Sequence, residues 1–165
     1  MDKSIIIYPE SGLQYDWKAI ASDPSAHHEP KIDLVAYKAL YINKIAQARA
    51  CGQEPILVSL PIIDENRYFA YITRGMSMQE RKNILFWLGG KTERLRNIHA
   101  LYNLALFRLA ALQCVHLVDV TSPMLASTHF EELLNQDGVT LSPSGEALVN
   151  SQLASLASRL SVLAS

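Results

Sequence analysis

Residues Asp137 to Val149 read DGVTLSPSGEALV, and the order of turn and cap residues in this stretch decides how the chain closes its fold. Asp137-Gly138 marks a turn, because glycine adopts a positive φ without the Cβ clash that other residues suffer. Ser142 offers a side-chain oxygen to the first helical N–H groups. Pro143 fits the first helical position, where a missing N–H costs nothing. Val149, Leu153, Leu156, Leu160 and Leu163 then recur at steps of four and three. That spacing predicts a helix laid by one apolar face against a core.

Working outward, three short runs read as strands. Ser4–Tyr8 (SIIIY), Pro55–Leu60 (PILVSL) and Val115–Val120 (VHLVDV) are β-branched or continuously apolar, and the first two are each followed by proline. Strands apolar on both faces suit a parallel sheet covered by helices. Between them lie helical patterns. Asp33 caps a helix to about Ala50, stopped by Cys51-Gly52, with Leu34, Tyr37, Tyr41, Ile45 and Ala48 on one face. A second runs from Thr92 to Gln113, with Leu95, Ile98, Tyr102, Ala105, Leu109 and Leu112 inward. Residues 9–32 read as irregular. Residues 62–90 form a long excursion rich in Tyr68, Phe69, Tyr71, Phe86 and Trp87, with one short helix capped near Ser77 and ended by Gly89-Gly90. A loop with Pro123 and a short helix over about 130–135 lead into the closing motif. Alternating strands and helices build a parallel sheet by right-handed crossovers.

The 165 residues suit a single domain over 1–165, with 49% apolar and 19% charged residues. A net charge of -1 with scattered Lys and Arg argues against a nucleic-acid partner. No apolar run approaches the about 18–20 residues of a membrane span, and the N-terminal apolar stretch is too short for a signal peptide. A cytoplasmic protein without metal or cofactor is expected. Cys51 and Cys114 fit no metal motif and read as free buried thiols.

The closing passage resembles the final block of the SGNH (GDSL-type) hydrolases: Asp-x-x-His, then Leu/Pro-Ser/Asn-x-x-Gly, then the last helix. Ile56-Leu57-Val58-Ser59-Leu60-Pro61 resembles that family's fourth strand and following loop. Asn83–Gly89, Leu101–Ala105 and Val118-Asp119-Val120 are similar to a bacterial branch. The resemblance runs from about Tyr37 onward. It implies an α/β three-layer sandwich with a short parallel sheet and flavodoxin-like topology. On the alignment it suggests, the family's first two strands are missing, so the chain reads as N-terminally truncated.

The resemblance also places the family's catalytic positions. Asp137 stands at the triad Asp, Thr140 at the triad His, and Ser11 near the oxyanion-hole Asn. Gly-Asp-Ser, which carries the family's nucleophile, is absent. Ester hydrolysis by serine needs a nucleophile, a base and oxyanion donors. A threonine hydroxyl does not accept a proton near pH 7. Asp137 is therefore expected to be a turn residue.

The other polar candidates read as structural. His27-His28-Glu29 and Asp64-Glu65 read as solvated loops, His99 as a boundary residue, and His116 as a hydrogen-bonded edge or core residue of its strand. His129, eight positions before Asp137, is the one histidine placed to act as a rearranged base. Two functions are carried forward. One is an SGNH-like binding or assembly domain, or the C-terminal part of a split enzyme, without independent catalysis. The other is an active esterase on small acyl or glycan esters with an unusual or partner-supplied nucleophile and base. An unpaired Ile5-Ile6-Ile7 edge predicts a homodimer through that strand, with the 62–90 excursion as the second candidate surface.

Overall fold

The structure, a computed structural model, describes residues 4–163, with side chains through residue 158. Leu160 and Leu163, assigned above to the inner face of the last helix, have side chains outside the described residues. Strands β1 (Ser4–Ile7), β2 (Glu54–Val58) and β3 (His116–Val118) form one parallel sheet in the order β1-β2-β3. Ile6 lies opposite Ile56, and Ile56 opposite His116.

The pleat divides the core between two faces. Ile7 and Leu57 join a large cluster with α2 (Leu34–Ala50) and α5 (Glu93–Gln113), through residues such as Tyr37, Tyr41, Ile45, Leu106 and Leu109. Ile56, Val58, Val118 and Val120 point the other way, onto Val149, Leu153 and Leu156 of α7 (Pro143–Leu163). The three-layer α/β architecture expected from the sequence is present.

Local chemistry explains where the helices begin and end. The Asp33 carboxylate accepts the N–H groups of Val35 and Ala36 at 2.7 and 2.8 Å and starts α2. Ser77 and Glu80 form a reciprocal capping box on α4 (Met78–Trp87). At the end of α5, Cys114 takes a left-handed turn at φ 50, and the Val115 N–H returns to the Ala110 carbonyl.

Several expectations are corrected. Residues 9–32 are not wholly irregular: Asp16 caps a short helix, α1 (Trp17–Ser22), through the Ala19 N–H. The excursion holds a further helix, α3 (Glu65–Ile72), capped by Asp64. Pro123 lies inside α6 (Thr121–Ala126), where the first turn needs no N–H from it. Cys51 and Cys114 are free but exposed, because each sits at a helix terminus that turns through solvent. The excursion's rings chiefly cover core: Trp87 meets Tyr15 and Trp17 edge-on, and Trp17 meets Tyr68. Among the described residues no helix is long and apolar enough to cross a membrane.

The start of α7 is set as the motif predicts. The Ser142 hydroxyl accepts the Gly145 N–H at 3.2 Å and donates to the Glu132 carbonyl at 2.6 Å. Gly145 is there for space: a Cβ would lie 2.2 Å from the Leu133 carbonyl oxygen. Helix propensity alone makes Gly145→Ala stabilising by about 1 kcal/mol. The backbone contact reverses the sign, and the variant is expected to lose roughly 1–3 kcal/mol in urea unfolding with an unchanged m-value. A more stable variant would contradict this packing.

Candidate functional site

Loops leaving the carboxyl ends of the three strands meet at one end of the sheet, where open α/β folds place their ligands. Tyr68 of α3 joins them. Its hydroxyl donates to the Leu13 carbonyl at 3.1 Å, beyond β1. Its backbone lies against Gly138, where a Cβ would stand 2.8 Å from the Tyr68 nitrogen and 2.6 Å from the Asp64 carbonyl oxygen. The Asp64 N–H also donates to the Gly138 carbonyl at 2.9 Å. Gly138, at φ 73, therefore meets two demands: a left-handed turn and close backbone approach. Burial pushes the Tyr68 hydroxyl up to about 12, so it stays a donor at all ordinary pH.

Asp137 faces its own turn. One carboxylate oxygen accepts the N–H groups of Val139 and Thr140 at 3.0 and 2.9 Å; the other accepts the Thr140 hydroxyl at 2.7 Å. Thr140 Oγ in turn accepts from Asn135 Nδ2 at 3.0 Å. Partial burial alone would raise the Asp137 pKa. The hydrogen bonds from Val139 and Thr140 outweigh it, and the pKa falls below the usual 3.8. This carboxylate is ionised and held, but it orients a hydroxyl rather than an imidazole.

Ser11 is half-buried, and its Oγ accepts the Leu13 N–H at 3.2 Å. Its neighbour Gly12 lies under the Tyr102 ring, with room for no Cβ: the ring carbons would be 2.3 Å away. The same loop is clamped to α2, since the Glu10 N–H donates to Tyr41 Oη at 2.8 Å and Tyr37 Oη donates to the Glu10 carbonyl at 3.0 Å. The fold thus brings the Ser11 and Asp137 loops to opposite sides of Tyr68. No hydrogen bond joins Ser11 to Asp137 or Thr140 among the described residues.

Among the described residues no hydrogen bond joins a histidine to Asp137 or Thr140. His129 is exposed and lies 4.0 Å from Glu132. His27 pairs with Glu29 at 3.1 Å in solvent, and His28 bonds the Asp23 carbonyl. His116 lies on β3 opposite Ile56, an exposed position at the edge of the sheet rather than in the core. Among the described residues no group of three His, Cys, Asp or Glu side chains could hold a metal.

Two features escaped sequence reasoning. Ser59, fully buried just beyond β2, accepts the N–H groups of Val120 and Thr121 at 2.9 and 3.2 Å. Asn103 of α5 accepts the Leu60 N–H at 2.8 Å and donates to Thr121 Oγ at 2.9 Å. Together they pin α5 to the ends of β2 and β3. A serine in an apolar strand and an asparagine in an apolar helix were the available signals.

The second is His99, which is buried rather than at the boundary. Its Nε2 lies 2.7 Å from the Pro61 carbonyl, which requires an N–H on that nitrogen and leaves Nδ1 as a buried acceptor without a partner. Burial holds its pKa below 6.5, against the pull of the Pro61 carbonyl. His99 lines a cavity of about 430 Å³ beside Asn103, Thr121 and Phe130.

The comparisons with known proteins agree with this geometry. A protein from Slackia heliotrinireducens named as a candidate SGNH hydrolase is 22% identical, with TM-score 0.56, over 93% of this chain and 64% of that one. A lipase/acylhydrolase from Enterococcus faecalis is 16% identical, with TM-score 0.51, over 92% and 58%. A GDSL-like lipase from Bacteroides thetaiotaomicron is 12% identical, with TM-score 0.57, over 96% and 63%. The chain spans less than two thirds of each, and what is shared is the SGNH-hydrolase-like fold. No family model matches the chain, and no curated protein matches it in sequence.

Asp137→Ala is expected to lower stability by roughly 0.5–2 kcal/mol at pH 7, the cost of a lost cap. Because the native pKa is lowered, the wild-type advantage is complete above about pH 4 and fades as pH falls through that native value. Unfolding of both proteins between pH 7 and pH 2 measures this. A constant gap at all pH would show that ionisation of Asp137 is irrelevant to the turn.

Proposed function

We propose that this chain is an SGNH-hydrolase-like binding or assembly domain, or the C-terminal part of a split enzyme, without independent ester hydrolysis. One observation carries the reading: Asp137, at the triad position, is bonded to two N–H groups of its own turn and to the Thr140 hydroxyl. A carboxylate in a triad orients an imidazole and stabilises its charged form. Here it has a hydroxyl to orient, and Thr140 cannot take a proton from a nucleophile.

The working surface of such a domain is the β1 edge. Among the described residues β1 pairs with β2 alone. Ile5 is 36% exposed and Ile6 40%, the latter on the α7 face of the sheet, which α7 leaves uncovered over β1. An unpaired apolar edge is a template for another strand. A second copy meets that need through a two-fold axis, the commonest closed symmetry. Cys51 and Cys114, both free and exposed, suit the reducing cytoplasm.

Purified protein is expected to release no p-nitrophenol from short-chain esters above a boiled control, and no serine should label with a fluorophosphonate. Stoichiometric labelling of one serine, with turnover lost on its replacement, would establish the alternative: an esterase acting on small acyl or glycan esters.

Assembly is tested separately. Light scattering after size exclusion at micromolar concentration should show a dimer of the 18.4 kDa chain, converted to monomer by Ile6→Lys. A soluble wild-type monomer that Ile6→Lys leaves unchanged removes the edge as the interface.

A further inference from the structure

Away from the strand ends, α2 and α5 pack side by side over the sheet and leave a groove of about 260 Å³ (≈ 260 Å³) between their outer faces. The inner face of α5 is buried through Leu95, Ile98, Tyr102, Leu106 and Leu109. Its outer face is apolar as well: Leu101, Leu104 and Leu112 are 55%, 54% and 81% exposed, so Leu112, expected inward from its spacing, faces out near the helix end, and Ile42 of α2 stands opposite at 41%. Single exposed leucines are ordinary on a protein surface. A set recurring at helical spacing along one concave groove marks an interaction site.

Charge narrows the occupant. In a chain of net charge -1, α2 and α5 carry Lys38, Lys44, Arg49, Arg94, Arg96 and Arg108 against Glu93 alone. Some of these cations have local partners. Lys44 lies over the Tyr41 ring, Arg49 donates to the Gln113 carbonyl, and Arg96 pairs with Glu65. Lys38 and Arg108 do not: they line the groove from opposite walls and meet no carboxylate among the described residues.

We propose that the α2–α5 groove is a docking site for an acidic amphipathic helix of another protein. Its apolar face would lie on Ile42, Leu101, Leu104 and Leu112, with carboxylates beside Lys38 and Arg108. A helix fits because Leu101 to Gln113 spans about 18 Å, three turns, with anchors at the i, i+3 and i+11 positions. The groove lies between two helices, so it offers no unpaired backbone to a strand. A second copy paired through the same patch fits poorly, since the lining holds no carboxylate to offer the partner's Lys38 and Arg108. A lipid surface favours a protruding apolar face over a recessed one. This site is independent of the β1 edge and of any hydrolytic chemistry.

The test uses two labelled synthetic peptides of about 18 residues, each with leucines on one helical face; the other face carries Glu in one and Lys in its counterpart. Fluorescence anisotropy with the full chain at low salt should show saturable binding of the Glu peptide, weakened at high salt. Lys38→Glu and Arg108→Glu, both at exposed positions, should each weaken it by about tenfold, and the double variant should prefer the Lys peptide. Circular dichroism confirms that the variants are folded. Equal binding of both peptides, or binding indifferent to charge reversal, overturns the proposal. So does co-sedimentation with phosphatidylglycerol vesicles in place of peptide binding, which would assign the groove to a lipid surface. Charge reversal that alters the oligomeric state would instead assign it to a second copy.

Discussion

The whole molecule is arranged around the burial of β2. This central strand is parallel to both neighbours, and Ile56, Leu57 and Val58 are buried together. A strand in that position needs cover on both faces and bonds on both sides. Leu57 is covered by the α2–α5 layer and Ile56 and Val58 by α7, so neither helical layer can be removed without opening the strand. Where β2 ends, Ser59 continues the constraint by a different means: its buried hydroxyl gathers the N–H groups of Val120 and Thr121, and Asn103 does the same for Leu60. These side chains stand in for sheet partners just where the ladder stops, and they fix where α5 and α6 can lie.

That arrangement also explains the state of the loops above the sheet. Each is held by short-range bonds to its own turn and by ties to its neighbours. Asp137 and Thr140 satisfy each other, Ser11 receives the Leu13 N–H, and Tyr68 spans the gap between the two loops. Asp137 and Ser11 accept N–H groups of their own turns, and Asp137 also accepts the Thr140 hydroxyl. Among the described residues one buried side-chain polar atom lacks a partner, Nδ1 of His99, a residue that also lines the cavity beside Thr121.

Cover is uneven across the surface. The β2 strand is enclosed, while β1 has an open edge with Ile5 and Ile6 exposed, and the outer faces of α2 and α5 present further apolar side chains.

Much of this was legible in the sequence, because the signals were local. Apolar runs ended by proline marked the strands, Asp33 and Ser77 marked helix starts, and DGVTLSPSG announced the turn, cap and last helix. Cap chemistry acts over three or four residues, so it can be read from a line of text. The turn bonds of Asp137 were also legible, since its partners are two and three positions away. What tertiary structure decided concerned residues far apart along the chain. Gly145 is needed because of the Leu133 carbonyl, Gly12 because of the Tyr102 ring, and Gly138 because of Asp64 and Tyr68. His99 looked like a boundary residue until the loop carrying Pro61 folded over it. The thiols of Cys51 and Cys114 looked buried because cysteine is usually apolar cover, yet both lie at exposed helix ends. Periodicity tells which face of a helix is apolar. Whether that face meets a neighbour, as on α7, or remains open, as for Leu101, Leu104 and Leu112, depends on what the rest of the chain brings to it.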